Sequence, residues 1–295
     1  MYYRRKVALS LLQVFDNELD KIQIQKLLFL YSRYKTKKKT YDFVPYKFGC
    51  FSFQANADLN TLRKYGIVSE SSKSWKKLDK TNYLAQLYKE DKKIVSDFGV
   101  IYKNKTNDDL ISLTYKRYPY YAINSTIADK YLSENEFDNL NNYRSFEDEI
   151  TLFTLGYEGI SLEYYLNKLI KNNIKLLCDV RKNALSMKYG FSKSQLKNAC
   201  EGVGIKYLHI PEVGITSDKR QELNSQEDYD RLFREYVANN LSQTVQCQKE
   251  ILSLLKEHKR IALTCFEADK CQCHRTHLAY AISNLKEFEY EVEHL

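Results

Sequence analysis

From residue 151 to the C-terminus, apolar runs of strand length alternate with segments of helix length. The runs lie at 152–157, 175–181, 206–210, 261–267 and 289–295. Helix-length segments separate most of them, at 161–173, 192–203, 226–257 and 275–287. Alternation of this kind is typical of a parallel sheet that is covered by helices on both faces. The pattern therefore predicts an α/β domain over 151–295, with a mostly parallel sheet and flanking helices.

The preceding residues follow a helical pattern. Apolar spacing predicts helices at 3–15, 19–35 and 55–67. The segment 67–80 is then expected to form a two-stranded wing, with lysines and Trp75 at its tip. This order predicts a mainly helical, winged-helix-like domain over 1–132, and the acidic, Asn-rich stretch 133–150 is the predicted linker.

The basic charge is concentrated in this helical region. Residues 1–100 contain 20 Lys and Arg against 10 Asp and Glu, whereas the whole chain has a net charge of only +8. This excess favours a nucleic-acid partner, although a lysine-rich surface without any partner is the alternative. A recognition helix and a wing would place their basic side chains along the DNA backbone. The predicted nucleic-acid contacts are Arg63, Lys64, Lys73, Lys76 and Lys77.

Cysteine count and hydropathy bear on the compartment. Seven unevenly spaced cysteines do not form the pattern of a disulfide framework. No apolar run approaches the roughly 18–20 residues of a membrane span, and the N-terminal stretch does not have the pattern of a signal peptide. We therefore expect a cytoplasmic protein without a membrane partner, and the sequence leaves its oligomeric state open.

Two predicted strands end in residues suited to ligand binding. The first is followed by Gly156-Tyr157-Glu158-Gly159, where Gly159 would let backbone amides approach an anion and Tyr157 could stack on a base. The second ends in Asp179, Arg181 and Lys182. Ligands bind beyond the carboxyl ends of such strands, so these residues are candidates for a phosphate site. A plain turn at the glycines and a simple Asp179–Arg181 pair are the alternatives.

The densest group of reactive residues begins at the end of the run 261–267 and continues to residue 275. It contains Cys265, Glu267, Cys273, His274 and Arg275, and we expect it to lie near Asp179, because the two strands should be close neighbours. Arg275 in the first turn of a helix is unfavourable unless an anion binds nearby, so we assign it to phosphate. Asp179, Glu267 and His274 are the candidate catalytic residues, and Cys265 and Cys273 are candidate ligand contacts. His209 ends a third strand and could face the same space or serve as a core residue.

The same group raises two other possibilities. The spacing Cys-x5-Cys-x-Cys-His lacks the paired Cys-x2-Cys of structural zinc sites, so we expect no metal at Cys265 and Cys273, and no cofactor. A phosphate loop of cysteine-phosphatase type requires an arginine where this chain has Cys271. We therefore do not predict that mechanism.

Five motifs in order carry a family resemblance across 151–295. They are TLGYEGIS (154–161), LLCDVRKN (176–183), GFSKSQL (190–196), GIKYLHIPEVGI (204–215) and CFEADKCQCHR (265–275). This region closely resembles the domain-of-unknown-function family 488, which implies a Rossmann-like fold and no settled reaction. The chain departs from the usual Pro-x-Ser-Arg after DVRKN, where it has Ala184, Ser186 and Met187.

A second resemblance covers roughly 1–130. Its matching segments are IQIQKLLFLYSRY (22–34), the aromatic stretch 41–68 and YPYYAINS (118–125). They resemble the Panacea domain of SocA-like antitoxins. That resemblance implies a component of a toxin–antitoxin or prokaryotic defence system.

Two functions follow from these features. The first is an enzyme directed at DNA or nucleotides, in which Asp179 and Glu267 cleave an N-glycosidic bond as paired carboxylates. The second is a non-enzymatic, nucleotide-sensing DNA-binding regulator, which needs the same arginines and helix starts but no proton transfer. A binder should tolerate Glu267→Gln, whereas an enzyme should not.

Overall fold

A computed structural model describes residues 1–35, 40–216, 223 and 225–295. The chain divides into two compact units, Met1–Arg144 and Ser145–Leu295. We call them unit 1 and unit 2, and each is described by itself. Among the described residues, no helix is both long and apolar enough to cross a membrane.

Unit 1 is mainly helical, as the sequence predicts. Its helices are α1 (Tyr3–Val14), α2 (Lys21–Tyr34), α3 (Phe53–Lys64), α4 (Lys89–Ile101), α5 (Asn107–Arg117) and α6 (Glu134–Asp138). Its strands are β1 (Glu18–Asp20), β2 (Val44–Tyr46), β3 (Gly49–Phe51), β4 (Val68–Glu70) and β5 (Ser74–Lys77). β1, β5 and β4 form an antiparallel sheet in that order, and β2 and β3 form a hairpin. The short helices α6 and Asn139–Tyr143 occupy part of the segment predicted as a linker.

The hairpin of β4 and β5 differs from the predicted wing in one respect. Trp75 is only 1% exposed and lies in the core of unit 1, not at the tip. Strand alternation explains the difference: Trp75 pairs in register with Leu19 and points to the same buried face. The tip is formed by the exposed residues Ser71, Ser72 and Lys73.

Unit 2 has the predicted α/β architecture. Its strands are β6 (Thr151–Gly156), β7 (Leu176–Asp179), β8 (Lys206–His209), β9 (Arg260–Cys265) and β10 (Glu291–His294). Its helices are α7 (Leu162–Lys171), α8 (Lys193–Gly202), α9 (Gln226–Glu235), α10 (Val245–His258) and α11 (His274–Ser283). All neighbouring strands pair in parallel, in the order β10-β6-β9-β7-β8.

The sheet order brings the reactive segments to one edge. β9 lies between β6 and β7, so the strands that end in Cys265 and Asp179 are neighbours, as the sequence predicts. In register, Cys265 lies opposite Gly156, and Thr264 lies opposite Asp179. The predicted single helix 226–257 is instead broken between α9 and α10 by a π-helical turn, Tyr236–Leu241.

Candidate functional site

A cleft lies at the carboxyl edge of the unit 2 sheet. Its volume is about 270 Å³. Its lining residues come from the ends of β6, β7 and β9, from the start of α11 and from the segment after β7: Tyr157, Arg181, Lys182, Asn183, Leu185, Ser186, Met187, Ile215, Cys265, Phe266 and His274. This is the edge at which open parallel sheets bind ligands. Of the predicted site residues, the cleft brings together Tyr157, Arg181, Lys182, Cys265 and His274.

Asp179 and Arg181 form a buried ion pair beneath the cleft. Arg181 donates from Nε to Asp179 Oδ1 at 2.8 Å and from Nη2 to Oδ2 at 2.5 Å. The backbone N–H of Arg181 and the hydroxyl of Tyr207 also donate to this carboxylate. Four donors fill the lone-pair positions of a carboxylate that is fully buried. Asp179 therefore holds Arg181 in place, which is the pairing alternative that the sequence leaves open.

Four of the five N–H groups of the Arg181 guanidinium donate within the protein. Its Nη1 donates to the Tyr157 hydroxyl at 2.6 Å and to the Phe191 carbonyl at 2.8 Å, and the residue is 5% exposed. Burial works to lower the pKa of Arg181, but the hydrogen bonds and charge of Asp179 outweigh it and raise that pKa. His209 Nε2 lies 2.8 Å from the Arg181 carbonyl, so this nitrogen donates to the backbone. Asp179 and Arg181 therefore form a hydrogen-bonded, charge-neutral pair beneath the cleft.

The GYEG loop is occupied by protein contacts. The backbone N–H groups of Tyr157 and Glu158 both donate to the Phe266 carbonyl. The Tyr157 ring stacks on Phe191, with 4.2 Å between centroids, and is 2% exposed, so it is not available to a base. Gly159 is exposed but does not line the cleft. The amides of Tyr157 and Glu158 are therefore engaged within the protein and not directed at an anion.

Four side chains with metal-ligand chemistry meet at the end of β9. The ligand atoms of Cys265, Glu267, Cys273 and His274 all lie within 4.8 Å of one another. Glu267 Oε2 accepts from Cys265 Sγ at 3.2 Å and from Cys273 Sγ at 3.1 Å, and Cys265 Sγ lies 3.5 Å from His274 Nδ1. We call these four residues the Cys–Glu–His cluster. The sequence spacing, which lacks paired Cys-x2-Cys, therefore still brings four possible metal ligands together.

The loop between these residues explains how they meet. Lys270–Gln272 forms one 3-10 turn, and Cys273 is the N-cap of α11. Residues that are eight positions apart in sequence therefore return to the same strand end. Cys271 is exposed and lies outside the cluster. Burial, and then the neighbouring Cys265 and Glu267, raise the pKa of Cys273 well above its ordinary value, which disfavours Cys273 as a nucleophile.

Residues 161–282 match the family model of the domain of unknown function DUF488. The matched span runs from the first turn of α7 to the last turn of α11, and it includes the ion pair and the whole Cys–Glu–His cluster. No curated protein and no solved structure matches the chain. The DUF488 match lies entirely in unit 2, so the Panacea resemblance of unit 1 stays a prediction.

Arg275 is part of the DUF488 region but not of its cleft surface. The side chain is buried, donating from Nη1 to the Glu267 carbonyl at 2.5 Å and from Nη2 to the Ala268 carbonyl at 3.2 Å. Its Nε is buried and finds no acceptor in the described part of the chain. Arg275 thus fixes the loop that carries Glu267, a role that the assignment to phosphate did not foresee.

Sequence reasoning missed much of the cleft rim in the DUF488 region. Leu185 is 77% exposed, Met187 is fully exposed and Phe266 is 42% exposed, so three apolar side chains face solvent around the opening. Asn183 and Ser186 add polar groups, and Lys182 is exposed beside them. The available signal was three large apolar residues in loops that directly follow strands, where core packing does not require them.

The predicted nucleic-acid contacts of unit 1 have unequal surroundings. Lys64, at the end of α3, and Lys73, at the tip, are exposed, as is Lys76, which lies 3.7 Å from Glu18. Arg63 is exposed but pairs with Glu70. Lys77 departs from the prediction: it is 6% exposed and pairs with Asp79 at 3.2 Å, because strand alternation turns it to the buried face. It is therefore not available for phosphate contact.

Proposed function

We propose that unit 2 is a hydrolase that acts on a nucleotide or nucleic acid bound in its cleft. One observation carries the proposal. The thiol of Cys265 and the imidazole of His274 line the cleft, and both lie next to the carboxylate of Glu267. A thiol, an imidazole and a carboxylate that converge at a cleft are the group types of candidate active sites.

The rim of the cleft supports a ligand that has both a ring and a charge. Phe266 offers an exposed aromatic face, and Leu185 and Met187 extend the apolar surface on which a base could pack. Lys182 supplies an exposed cation, and Asn183 supplies amide groups that can read a polar ring edge. A planar ring that carries a phosphate fits this combination better than a purely apolar or purely charged ligand.

Glu267 is the group to which we assign proton transfer. Asp179 is excluded from that role by its four hydrogen bonds. This leaves Glu267, whose carboxylate lies 3.2 Å from the thiol of the cleft-lining Cys265. The N-glycosidic bond remains the first bond to test, with Glu267 acting without a second carboxylate. A single acid or base of this kind contributes about 100-fold to 10,000-fold to a rate.

Replacing Glu267 by Gln should separate the enzyme from the regulator. We expect binding of AMP, dAMP and a single-stranded oligonucleotide, measured by calorimetry, to persist, because the rim is unchanged. Release of free base, followed by chromatography, should fall at least about 100-fold. The matched control is Glu201→Gln, an exposed carboxylate on α8. If the wild-type protein binds these probes and converts none of them, the regulator is the better description.

We further propose that unit 1 contacts the backbone of duplex DNA. The order α1, β1, α2, α3, β4 and β5, with the strands arranged β1-β5-β4, resembles that of winged-helix domains, although the β2–β3 hairpin lies between α2 and α3. The exposed Lys64 is the last residue of α3, and the exposed Lys73 lies at the tip of the β4–β5 hairpin. These positions support contacts to the phosphate groups on either side of a groove.

The double variant Lys64→Ala/Lys73→Ala should weaken duplex binding in a salt-dependent manner. Each lost phosphate contact lowers the slope of log affinity against log salt concentration by about 0.9, so we expect the slope to fall by nearly two. Fluorescence anisotropy of the full-length protein with a labelled duplex, at several salt concentrations, measures this slope. Lys197→Ala, at an exposed lysine of unit 2, is the control. An unchanged slope would remove these two lysines from the interface.

A further inference from the structure

We propose that the Cys–Glu–His cluster binds one zinc ion through Cys265, Cys273 and His274, with Glu267 as the fourth, oxygen ligand. The donor set consists of two sulfurs, one imidazole nitrogen and one carboxylate oxygen. Zinc is the ion that takes these donors in a four-coordinate, tetrahedral arrangement, whereas calcium and magnesium prefer oxygen alone.

The spacing of the ligand atoms fits a tetrahedron around zinc. Bonds of about 2.3 Å to sulfur and about 2.0–2.1 Å to nitrogen or oxygen give edges of roughly 3.5 Å between neighbouring ligand atoms. Cys265 Sγ lies 3.5 Å from His274 Nδ1, and Glu267 Oε2 lies 3.2 Å and 3.1 Å from the two sulfurs. Only shifts of a few tenths of an ångström are needed on these edges. The other three pairs of ligand atoms lie within 4.8 Å of each other, so side-chain movements of about 1 Å would bring all four ligands to one zinc ion.

The imidazole of His274 is already oriented for a metal. Its Nε2 lies 3.0 Å from the Val180 carbonyl, which only accepts, so Nε2 is the donor of this hydrogen bond. Nδ1 is the nitrogen that faces the cluster, 3.5 Å from Cys265 Sγ, and is the atom that would bind zinc. A backbone carbonyl that holds the remote nitrogen of a histidine is the usual outer contact of a zinc ligand. His274 is also 1% exposed, so its ring has little freedom to turn away.

The charge of the surroundings gives a second, independent argument. Arg275 is 1% exposed, and its guanidinium donates to the Glu267 and Ala268 carbonyls rather than to a carboxylate side chain. A buried cation is costly unless negative charge lies nearby. One Zn²⁺ ion bound by two thiolates, one carboxylate and a neutral imidazole would give the site a formal charge of about −1. That charge lies on the same loop as Arg275 and offsets it.

The inferred ion belongs to the floor of the cleft. Cys265 and His274 are cleft-lining residues, so the metal would lie at the end of the cavity, where it joins the end of β9 to the start of α11. Four protein ligands give it the closed coordination of a structural zinc site, with Glu267 binding through Oε2 and keeping Oε1 for the proton transfer of the proposed function. That division of the Glu267 oxygens rests on the proposed function, but the presence of zinc does not. Metal content is measured without any substrate, so the two proposals can fail separately.

The full-length protein, purified with a phosphine reductant and without chelators, tests the inference. Mass spectrometry of the metal content should find about one zinc per chain. Cobalt added to the metal-free protein should give the thiolate-to-metal absorption band and the intense visible bands of a tetrahedral site. Zinc should also protect Cys265 and Cys273, but not the exposed Cys271, from alkylation under native conditions.

Variants locate the site. Cys273→Ser and His274→Ala should each lose most of the bound zinc, while Cys271→Ser, two to six residues from the ligands in the same loop, should keep it. If the first two variants fail to fold, the cobalt spectrum and the alkylation pattern of the wild-type protein still decide. A folded wild-type protein that takes up neither zinc nor cobalt overturns the site. Equal loss of metal from Cys271→Ser would also overturn it.

Discussion

Asp179→Ala should lower the free energy of unfolding of unit 2 by about 3–5 kcal/mol, because it leaves Arg181 as a buried, uncompensated charge. Three donors of Arg181 and the Tyr207 hydroxyl lose their acceptor at once. Water cannot readily replace the carboxylate, since Asp179 is fully buried and Arg181 is 5% exposed. The loss therefore contains both the missing ion pair and the desolvation of the groups left behind.

Urea unfolding followed by two probes measures this loss. Trp75 is the single tryptophan of the chain and lies in unit 1, so its fluorescence reports that unit. Far-ultraviolet circular dichroism reports both units. We expect the dichroism transition to shift and the fluorescence transition to stay in place. Asp148→Ala, which removes an exposed carboxylate paired with Lys259, should cost no more than about 1 kcal/mol. Equal effects of the two substitutions would show that the buried pair contributes little.

The architecture of unit 2 was predictable from sequence because its signal is periodic. The three inner strands β6, β7 and β9 are short, mainly apolar runs that are buried on both faces, so they show little alternation of polar and apolar residues. We also expected β7 and β9 to be close neighbours, because their ends carry the candidate site segments 179–181 and 265–267. The break between α9 and α10 was not predictable, because the π-helical turn continues the helical period with only one extra residue in the turn.

The roles of the charged residues were harder to predict than their positions. Asp179 and Arg181 were expected at the cleft, but their mutual saturation depends on Tyr207, which reaches them from the neighbouring strand β8. A linear pattern does not show that a third side chain completes the pair. Arg275 was likewise placed at the correct helix start, yet its side chain turns back to two loop carbonyls.

The Cys–Glu–His cluster shows why spacing templates miss such groups. Templates for zinc sites rest on short knuckles in which two cysteines share one turn. Here the first cysteine ends a strand and the second caps a helix, and the loop between them folds back through a 3-10 turn. The tertiary path of the loop, not the count of intervening residues, sets the distance between the sulfurs.

Gly156→Ala should destabilise unit 2 by about 3 kcal/mol or more and disrupt the cluster, because no space exists for a methyl group. A Cβ at this position would lie 1.8 Å from the Glu267 carbonyl oxygen and 3.1 Å from Arg275 Nη1. The contact is with backbone that Arg275 holds, so the loop must move and take the Glu267 carboxylate away from both sulfurs. The free energy of unfolding, measured in urea, and the zinc content of the folded fraction should both fall. Gly159→Ala is the matched control: its Cβ meets nothing within 4 Å, and its φ of +75° costs only about 1–2 kcal/mol. Equal stability of the two variants, with zinc retained in both, would mean that the loop tolerates displacement and that Gly156 does not position Glu267.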